Sequence, residues 1–273
     1  MVFEPHKIEI SYDNMEIAFY KYQGTGNDFV MIDDRAENFP VHNLGLVQNL
    51  CDRRFGIGAD GLILIRNKSG FDFEMIYFNA DGSQSMCGNG ARCAVAFSRF
   101  LGIIENETYF LAIDGPHDAK VAGDWIELGM SPVTSLANAG KDYFVNTGSP
   151  HHVRFVEDVT SYPVVKEGAE IRYSETYAPK GTNVNFVTPI ASDEIYVRTY
   201  ERGVEAETLS CGTGVTACAL VFGYQNELHE VKIKTPGGNL KVRFSESADG
   251  SFQNIVLVGP AEQVFKGIIH AEI

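Results

Sequence analysis

Positive charge is scarce in this chain: 22 Lys and Arg stand against 36 Asp and Glu, a formal net charge of −14. Such a field opposes nucleic acid and anionic membrane surfaces, which excludes both as main partners. An anionic substrate would need donors aimed at it locally. Long apolar runs are missing as well. No stretch approaches the roughly 18 apolar residues of a membrane span, and Met1–Met15 alternates polar and apolar residues without the apolar centre of a secretory signal. Cysteine is sparse: the five present form no Cys-x-x-Cys pair, which argues against structural zinc. Their odd number suits reduced thiols in a cytoplasmic protein. No metal site is expected.

What is there fits a soluble globular chain, with 44% hydrophobic residues and 273 residues in all, enough for two compact domains. Leu62–Ile65, Phe73–Phe78, Trp125–Leu128, Glu194–Tyr200, Val231–Lys234 and Asn254–Leu257 alternate or cluster in the manner of strands between turn residues. Val41–Arg53 has helical periodicity. Gly90–Phe100 and Gly214–Asn226 are the clearest helices, apolar nearly all round, as helices at the centre of a domain are.

Those two helices expose an internal repeat. Met86-Cys87-Gly88-Asn89-Gly90-Ala91-Arg92-Cys93-Ala94 reads against Ser210-Cys211-Gly212-Thr213-Gly214-Val215-Thr216-Ala217-Cys218-Ala219. A smaller echo pairs Gly24-Thr25-Gly26-Asn27-Asp28-Phe29 with Gly181-Thr182-Asn183-Val184-Asn185-Phe186. The copies lie half a chain apart, too far for a solenoid, so two similar domains are expected. Their boundary is expected in Gly129–Asn146, a segment holding Pro132, Asn138 and Gly140. Gly56-Ile57-Gly58-Ala59-Asp60-Gly61 matches the G-x-G-x-x-G string of dinucleotide sites. It precedes a strand instead of following one, so it reads as a tight turn and disfavours a nicotinamide-dependent enzyme.

Cys51, Cys93 and Cys218 read as small buried hydrophobes. Cys87 and Cys211 differ, because each stands at the N-cap of its helix. There the free first-turn amides lower a thiol's pKa and bind carboxylates. Two such thiols in matching halves suit one reaction above others. Inverting a carbon centre needs a base on one face and an acid on the other, exchanging roles with direction. The α-proton of an amino acid is weakly acidic, and two converging helix N-termini could stabilise the charge that develops on its carboxylate. No cofactor is required.

At these residues the chain resembles diaminopimelate epimerase over nearly its whole length. The resembling blocks are Tyr22–Val30, Asp52–Gly61, Phe78–Ser83, Met86–Cys93, Thr147–Val153, Asn183–Phe186, Tyr200–Gly203, Glu207–Gly214 and Pro236–Leu240. The resemblance implies interconversion of LL- and meso-diaminopimelate in lysine and peptidoglycan precursor biosynthesis, with Cys87 and Cys211 as the catalytic pair. It implies that Gly88, Asn89, Gly212 and Thr213 hold the reacting carboxylate. Asn27, Asn79, Asn183, Glu201 and Arg202 would read the substrate, and His151 and Glu201 would support the thiols' proton traffic. Blander readings exist: Arg202 beside Glu201 as a surface ion pair, His151 beside His152 as an exposed doublet, the asparagines as turn residues. Gly61 stands where many members carry Gln, and Ser149 where Asn is frequent, which puts one polar contact at each in question.

The implied fold is α+β: two similar domains, each a curved, mostly antiparallel sheet around a central helix, related by a pseudo-twofold with the active site in the cleft between them. Residues 1–131, joined by 260–273, would form one domain and 132–259 the other. The family implies a homodimer. The rival readings are another two-cysteine racemase or epimerase, of the proline or hydroxyproline type, and a catalytically silent amino-acid-binding homologue.

Overall fold

A computed structural model describes residues 14–272, so nearly all of the alternating Met1–Met15 segment lies outside the described residues. In the first half, β1 (Asn14–Gly24) and β2 (Asn27–Asp33) form a hairpin. Then α1 (Leu44–Cys51) leads to β3 (Gly61–Arg66), parallel to β2, and β4 (Glu74–Asn79) returns antiparallel. Next come α2 (Gly88–Phe100) and the meander β5 (Glu107–Ala112), β6 (Gly115–Ala122) and β7 (Trp125–Gly129).

The second half repeats this order. After β8 (Ala137–Ala139) and β9 (Asp142–Asn146) come β10 (Pro150–Phe155), α3 (Val164–Arg172), β11 (Asn183–Ala191) and β12 (Glu194–Glu201). The short β13 (Ala206–Thr208) precedes α4 (Gly212–Asn226), then β14 (Glu230–Thr235), β15 (Gly238–Glu246), β16 (Phe252–Pro260) and β17 (Glu262–Glu272). The ladders repeat too: β2–β3 and β10–β11 are parallel, β3–β4 and β11–β12 antiparallel, β4–β5 and β12–β14 parallel. The halves join where β7 and β16 pair antiparallel, Leu128 opposite Leu257, and β17 returns to lie along β1.

Each half wraps its sheet around one helix. Ala91, Cys93, Ala94, Val95 and Phe97 of α2 pack against Phe29, Ile63, Met75, Phe110 and Leu128. Val215 and Ala217 to Phe222 of α4 pack against Val153, Val187, Val197, Ile233, Val242 and Leu257. Strand alternation explains the unbroken run in β3, since Ile63 and Ile65 face α2 while Leu62 and Leu64 face α1. On the other side of the second sheet, α3 covers Val184, Phe186 and Tyr200.

The segment Gly129–Asn146, where the boundary between the halves is expected, contains β8 and β9. Helix α3 carried no sequence signal: it is nine residues long, follows Pro163 and contains Gly168. That glycine is needed for contact, because a Cβ on it would lie 2.4 Å from Cβ of Tyr200. Finally, the smaller echo pairs positions that are not equivalent. Asn27 opens β2, whereas Asn183 opens β11, the counterpart of β3. The counterpart of Asn183 in the first half is Gly61.

Candidate active site

Helices α2 and α4 begin at Gly88 and Gly212, two residues earlier than the apolar pattern suggests, which puts Cys87 and Cys211 at their N-caps. Both caps are extended, with φ −134° and ψ 115° at Cys87 and φ −119° and ψ 112° at Cys211, and neither thiol is used as a cap. The first turns abut. A Cβ built on Gly212 would stand 3.5 Å from Cα of Gly88, and both glycines rest on the side chain of Leu257. A side chain at Gly212 would come 3.1 Å from Leu257 Cδ2, so that leucine would have to give way. Asn89 stitches them together, its Nδ2 donating to the Ser210 carbonyl at 3.0 Å and to Asn27 Oδ1 at 3.3 Å.

The expected depression of the thiol pKa is not the net result. Burial pushes the Cys87 thiol up to about 11 and the Glu201 carboxylate adds to this, while the Gly90 and Asn89 amides pull the other way. Cys211 is driven up further by burial and then by Glu201, against the Thr213 hydroxyl and the Gly214 amide. The helix amides act in the expected direction, but loss of water outweighs them. A thiolate formed here is correspondingly a stronger base, which suits removal of a weakly acidic α-proton.

His151 is fully buried, which overturns its reading as an exposed doublet with His152. Asn185 Nδ2 donates to its Nδ1 at 3.2 Å, so the ring proton lies on Nε2 and is donated to Thr213 Oγ1 at 2.9 Å. Asn185 is itself oriented by Thr199, whose hydroxyl donates to its Oδ1 at 2.9 Å. The Thr213 hydroxyl is left to donate to Cys211 Sγ at 3.5 Å. His151 thus reaches Cys211 through Thr213. Burial, then the Arg202 charge, lowers its pKa from 6.5 to about 3. Below pH 6.5 the unfolded chain takes up a proton that the folded chain refuses until about pH 3, so stability falls across that window. The slope is about 1.4 kcal/mol per pH unit for one proton. Urea unfolding of His151→Gln should show this acid slope reduced by about one proton; an unchanged slope would contradict the assignment.

Asn27 Nδ2 donates to Asp60 Oδ2 at 2.6 Å, which turns its Oδ1 toward the Cys87 thiol at 3.4 Å. Arg53 bridges Asp60 and Asp28 behind it. Glu201 accepts from Thr208 Oγ1 at 2.9 Å and its pKa is raised by burial. It makes no ion pair with Arg202, whose Nη1 reaches only the Lys180 carbonyl at 3.4 Å, so the surface-pair reading fails too. Asn183 has both amide ends engaged, by the Pro150 carbonyl at 3.1 Å and the Arg202 amide at 2.8 Å. It fixes the backbone from which Arg202 springs. Asn79 donates to Ser83 and Ser85 and accepts from Tyr77 at 2.8 Å. Tyr77 also explains Gly61: a Cβ there would fall 2.4 Å from Cε2 of Tyr77.

Sequence reasoning assigned no role to Asn185, Thr208, Asp60 or Tyr77. Only Asn185 carried a usable signal, since strand alternation places it on the same face as Asn183. Among the described residues, no cluster of His, Cys, Asp and Glu could hold a metal ion.

The family model for diaminopimelate epimerase matches residues 19–122 and 143–264. The chain belongs to the diaminopimelate epimerase family. Its relatives include a diaminopimelate epimerase from Flavobacterium psychrophilum, 52% identical over 93% of this chain and 100% of that protein. One from Aquifex aeolicus is 42% identical over 94% of this chain and 99% of its own length. Among solved structures, a phenazine biosynthesis protein of the PhzF family from Bacillus anthracis superposes with a TM-score of 0.74 at 12% identity, covering 95% of this chain and 100% of that one. A hydroxyproline epimerase from Agrobacterium vitis does so with 0.67 at 14% identity, over 94% and 93%. These likenesses establish the fold, two similar domains in an α+β architecture. The family model's two segments fall one in each half of the repeat.

Proposed function

We propose that the protein interconverts LL-2,6-diaminopimelate and meso-2,6-diaminopimelate without a cofactor, supplying lysine and peptidoglycan precursor synthesis. The observation that carries this reading is the pair of cysteine N-caps in matching extended conformations, on helices whose first turns touch. In this scheme the α-carboxylate lies on the amides of Gly88, Asn89, Gly212 and Thr213, where two helix ends favour the charge that grows as the α-proton leaves. One thiolate removes that proton, and the opposite thiol returns one to the other face. Asn27 and Thr213 orient the two sulfurs, His151 acts behind Thr213, and Glu201 holds a carboxylate beside both. At the distal end Arg202 receives the carboxylate and Asn79, Asn183 and Glu201 complete the frame.

The test is proton NMR of LL-diaminopimelate with the protein in deuterium oxide. Loss of the α-proton signal together with appearance of the meso form is expected. Exchange into proline or hydroxyproline, with none into diaminopimelate, would move the substrate to the other branch. No exchange into any amino acid would leave a binding protein.

We further place residues 1–131 with 260–273 in one domain and 132–259 in the other, in a cytoplasmic protein whose five cysteines are all free. The working unit in this reading is a homodimer. Its support is β17, which among the described residues pairs with β1 alone and exposes Val264, Phe265 and Ile268. Light scattering should give twice the chain mass of 30.1 kDa; the monomer mass would refute it.

A further inference from the structure

Arg92 is the largest side chain wholly removed from solvent. Its Nη1 donates to Asn89 Oδ1 at 3.0 Å and to the Gly88 carbonyl at 3.5 Å. Nη2 donates to Thr25 Oγ1 at 3.1 Å, and Nε to the Pro260 carbonyl at 3.4 Å. Every one of these acceptors is neutral. No carboxylate among the described residues forms an ion pair with it, although Arg35, Arg53, Arg66, Arg154, Arg172, Arg198 and Arg243 all have one.

The fold makes room for this cation. A Cβ on Gly259 would stand 2.9 Å from Arg92 Nε, and one on Gly24 would stand 3.4 Å from Nη2. Burial lowers the guanidinium's pKa to about 10, which still leaves it charged at neutral pH. A buried charge without a counter-ion is costly to keep, unless an anion arrives where its field points. Through Gly88 and Asn89 the guanidinium sits directly behind the first turn of α2, and the ionisable groups acting on it are the thiols of Cys93 first and Cys87 second.

The repeat makes the charge informative. Arg92 stands five residues after Cys87, and the residue five after Cys211 is Thr216. Thr216 is equally buried and donates its hydroxyl to the Gly212 carbonyl at 2.9 Å, the counterpart of the Gly88 carbonyl. The same helix-end carbonyl is thus served by a cation in one half and a neutral hydroxyl in the other. The two cysteine N-caps agree in backbone, but the charge behind them differs.

We propose that Arg92 is a positioning residue that makes the two thiols unequal, its unneutralised charge holding the working thiolate at Cys87 while Cys211 carries the proton. This rests on the two-thiol reading above and deepens it. The other ionisable groups around Cys87 are Glu201 from β12, Tyr77 from β4, Cys93 from its own helix and Cys211. All of them are neutral or anionic, which leaves Arg92 as the cation acting on Cys87. The substrate form whose α-proton faces Cys87 then meets a base already in place. The other form must wait for a proton to pass from Cys211.

The test reads each thiol separately in the substrate-free protein. Iodoacetamide alkylation of Cys87 and Cys211 is followed by peptide mass spectrometry across the alkaline pH range. The pH midpoint is compared and not the absolute rate, so unequal access does not enter. Cys87 should titrate at least about one pH unit below Cys211, the size of shift that one neighbouring charge produces. Arg92→Gln should raise the Cys87 midpoint by about that amount and leave Cys211 in place, and Arg92→Lys should keep most of the difference. A merely structural role would not be rescued by a flexible amine. Coincident midpoints in the wild-type protein, or an Arg92→Gln midpoint unchanged at Cys87, would overturn the proposal. Because deeper burial already favours a higher midpoint at Cys211, the wild-type comparison tests the inequality and the two variants test its assignment to Arg92, Arg92→Lys serving where Arg92→Gln fails to fold. With no substrate present, a negative result removes the inequality and leaves the two-thiol reading to the exchange experiment.

Discussion

Replacing either Cys87 or Cys211 by alanine lowers the rate of meso-diaminopimelate formation from the LL form by about 10³-fold or more, the scale of a lost general acid or base. Both losses are expected to be of this size because inversion needs a donor and an acceptor in the same turnover. A single surviving thiol can work on one face alone. The control is built into the repeat. Cys93 and Cys218 lie in the same two helices, fully buried in the cores and away from the caps. Cys93→Ala and Cys218→Ala should cost about 0.5–3 kcal/mol of stability through lost packing and leave turnover close to wild type. Chiral chromatography of the products together with urea unfolding separates the two effects. Full activity in Cys87→Ala or Cys211→Ala would end the mechanism, whatever the stability data say.

The second large effect is on recognition. Arg202→Lys is expected to raise KM for LL-diaminopimelate by about 10- to 100-fold, corresponding to loss of one charge-assisted hydrogen bond of roughly 1.5–3 kcal/mol. The guanidinium of Arg202 is only partly buried and makes one long bond, to the Lys180 carbonyl, so most of its donors are available. Its backbone is pinned by Asn183, which means the fork is presented from a fixed base. A lysine keeps the charge and loses the paired donors that match a carboxylate. The amides at the helix ends meet only a generic α-amino acid, so kcat should change less than KM, with some slowing from a misplaced substrate. Steady-state kinetics of this variant settles the point. An unchanged KM would remove Arg202 from the distal subsite.

The cysteine caps were legible in the sequence because two independent cues coincide there, a repeated Cys-Gly-x-Gly and the onset of an apolar helix. The strands were legible through alternation, and even the unbroken Leu62–Ile65 run became clear once both faces of β3 proved to be covered. What stayed hidden depends on distance along the chain. His151 meets Asn185 because β10 and β11 pair in parallel, with Val153 opposite Asn185, across an intervening helix. No spacing rule announces that. The small echo misled for a related reason: Phe29 and Phe186 both follow a Gly-Thr at the same spacing, yet the ladders put them on non-equivalent strands, β2 and β11. The thiol pKa was misjudged because a helix end is written in the sequence and dehydration is not. Dehydration follows from how tightly Glu201, Tyr77 and the facing helix close around the sulfurs.

Leu257 has a mechanical consequence. A methyl group of this side chain would lie 3.4 Å from a Cβ at Gly88 and 3.1 Å from one at Gly212, so both helix ends lean on the same carbon. Leu257 also belongs to β16, directly opposite Leu128 on the strand that carries the other half. The approach of the two helix ends is therefore limited by one aliphatic side chain on the strand that joins the halves. That limit is stored in a residue with no polar atom in its side chain and no surface open to solvent.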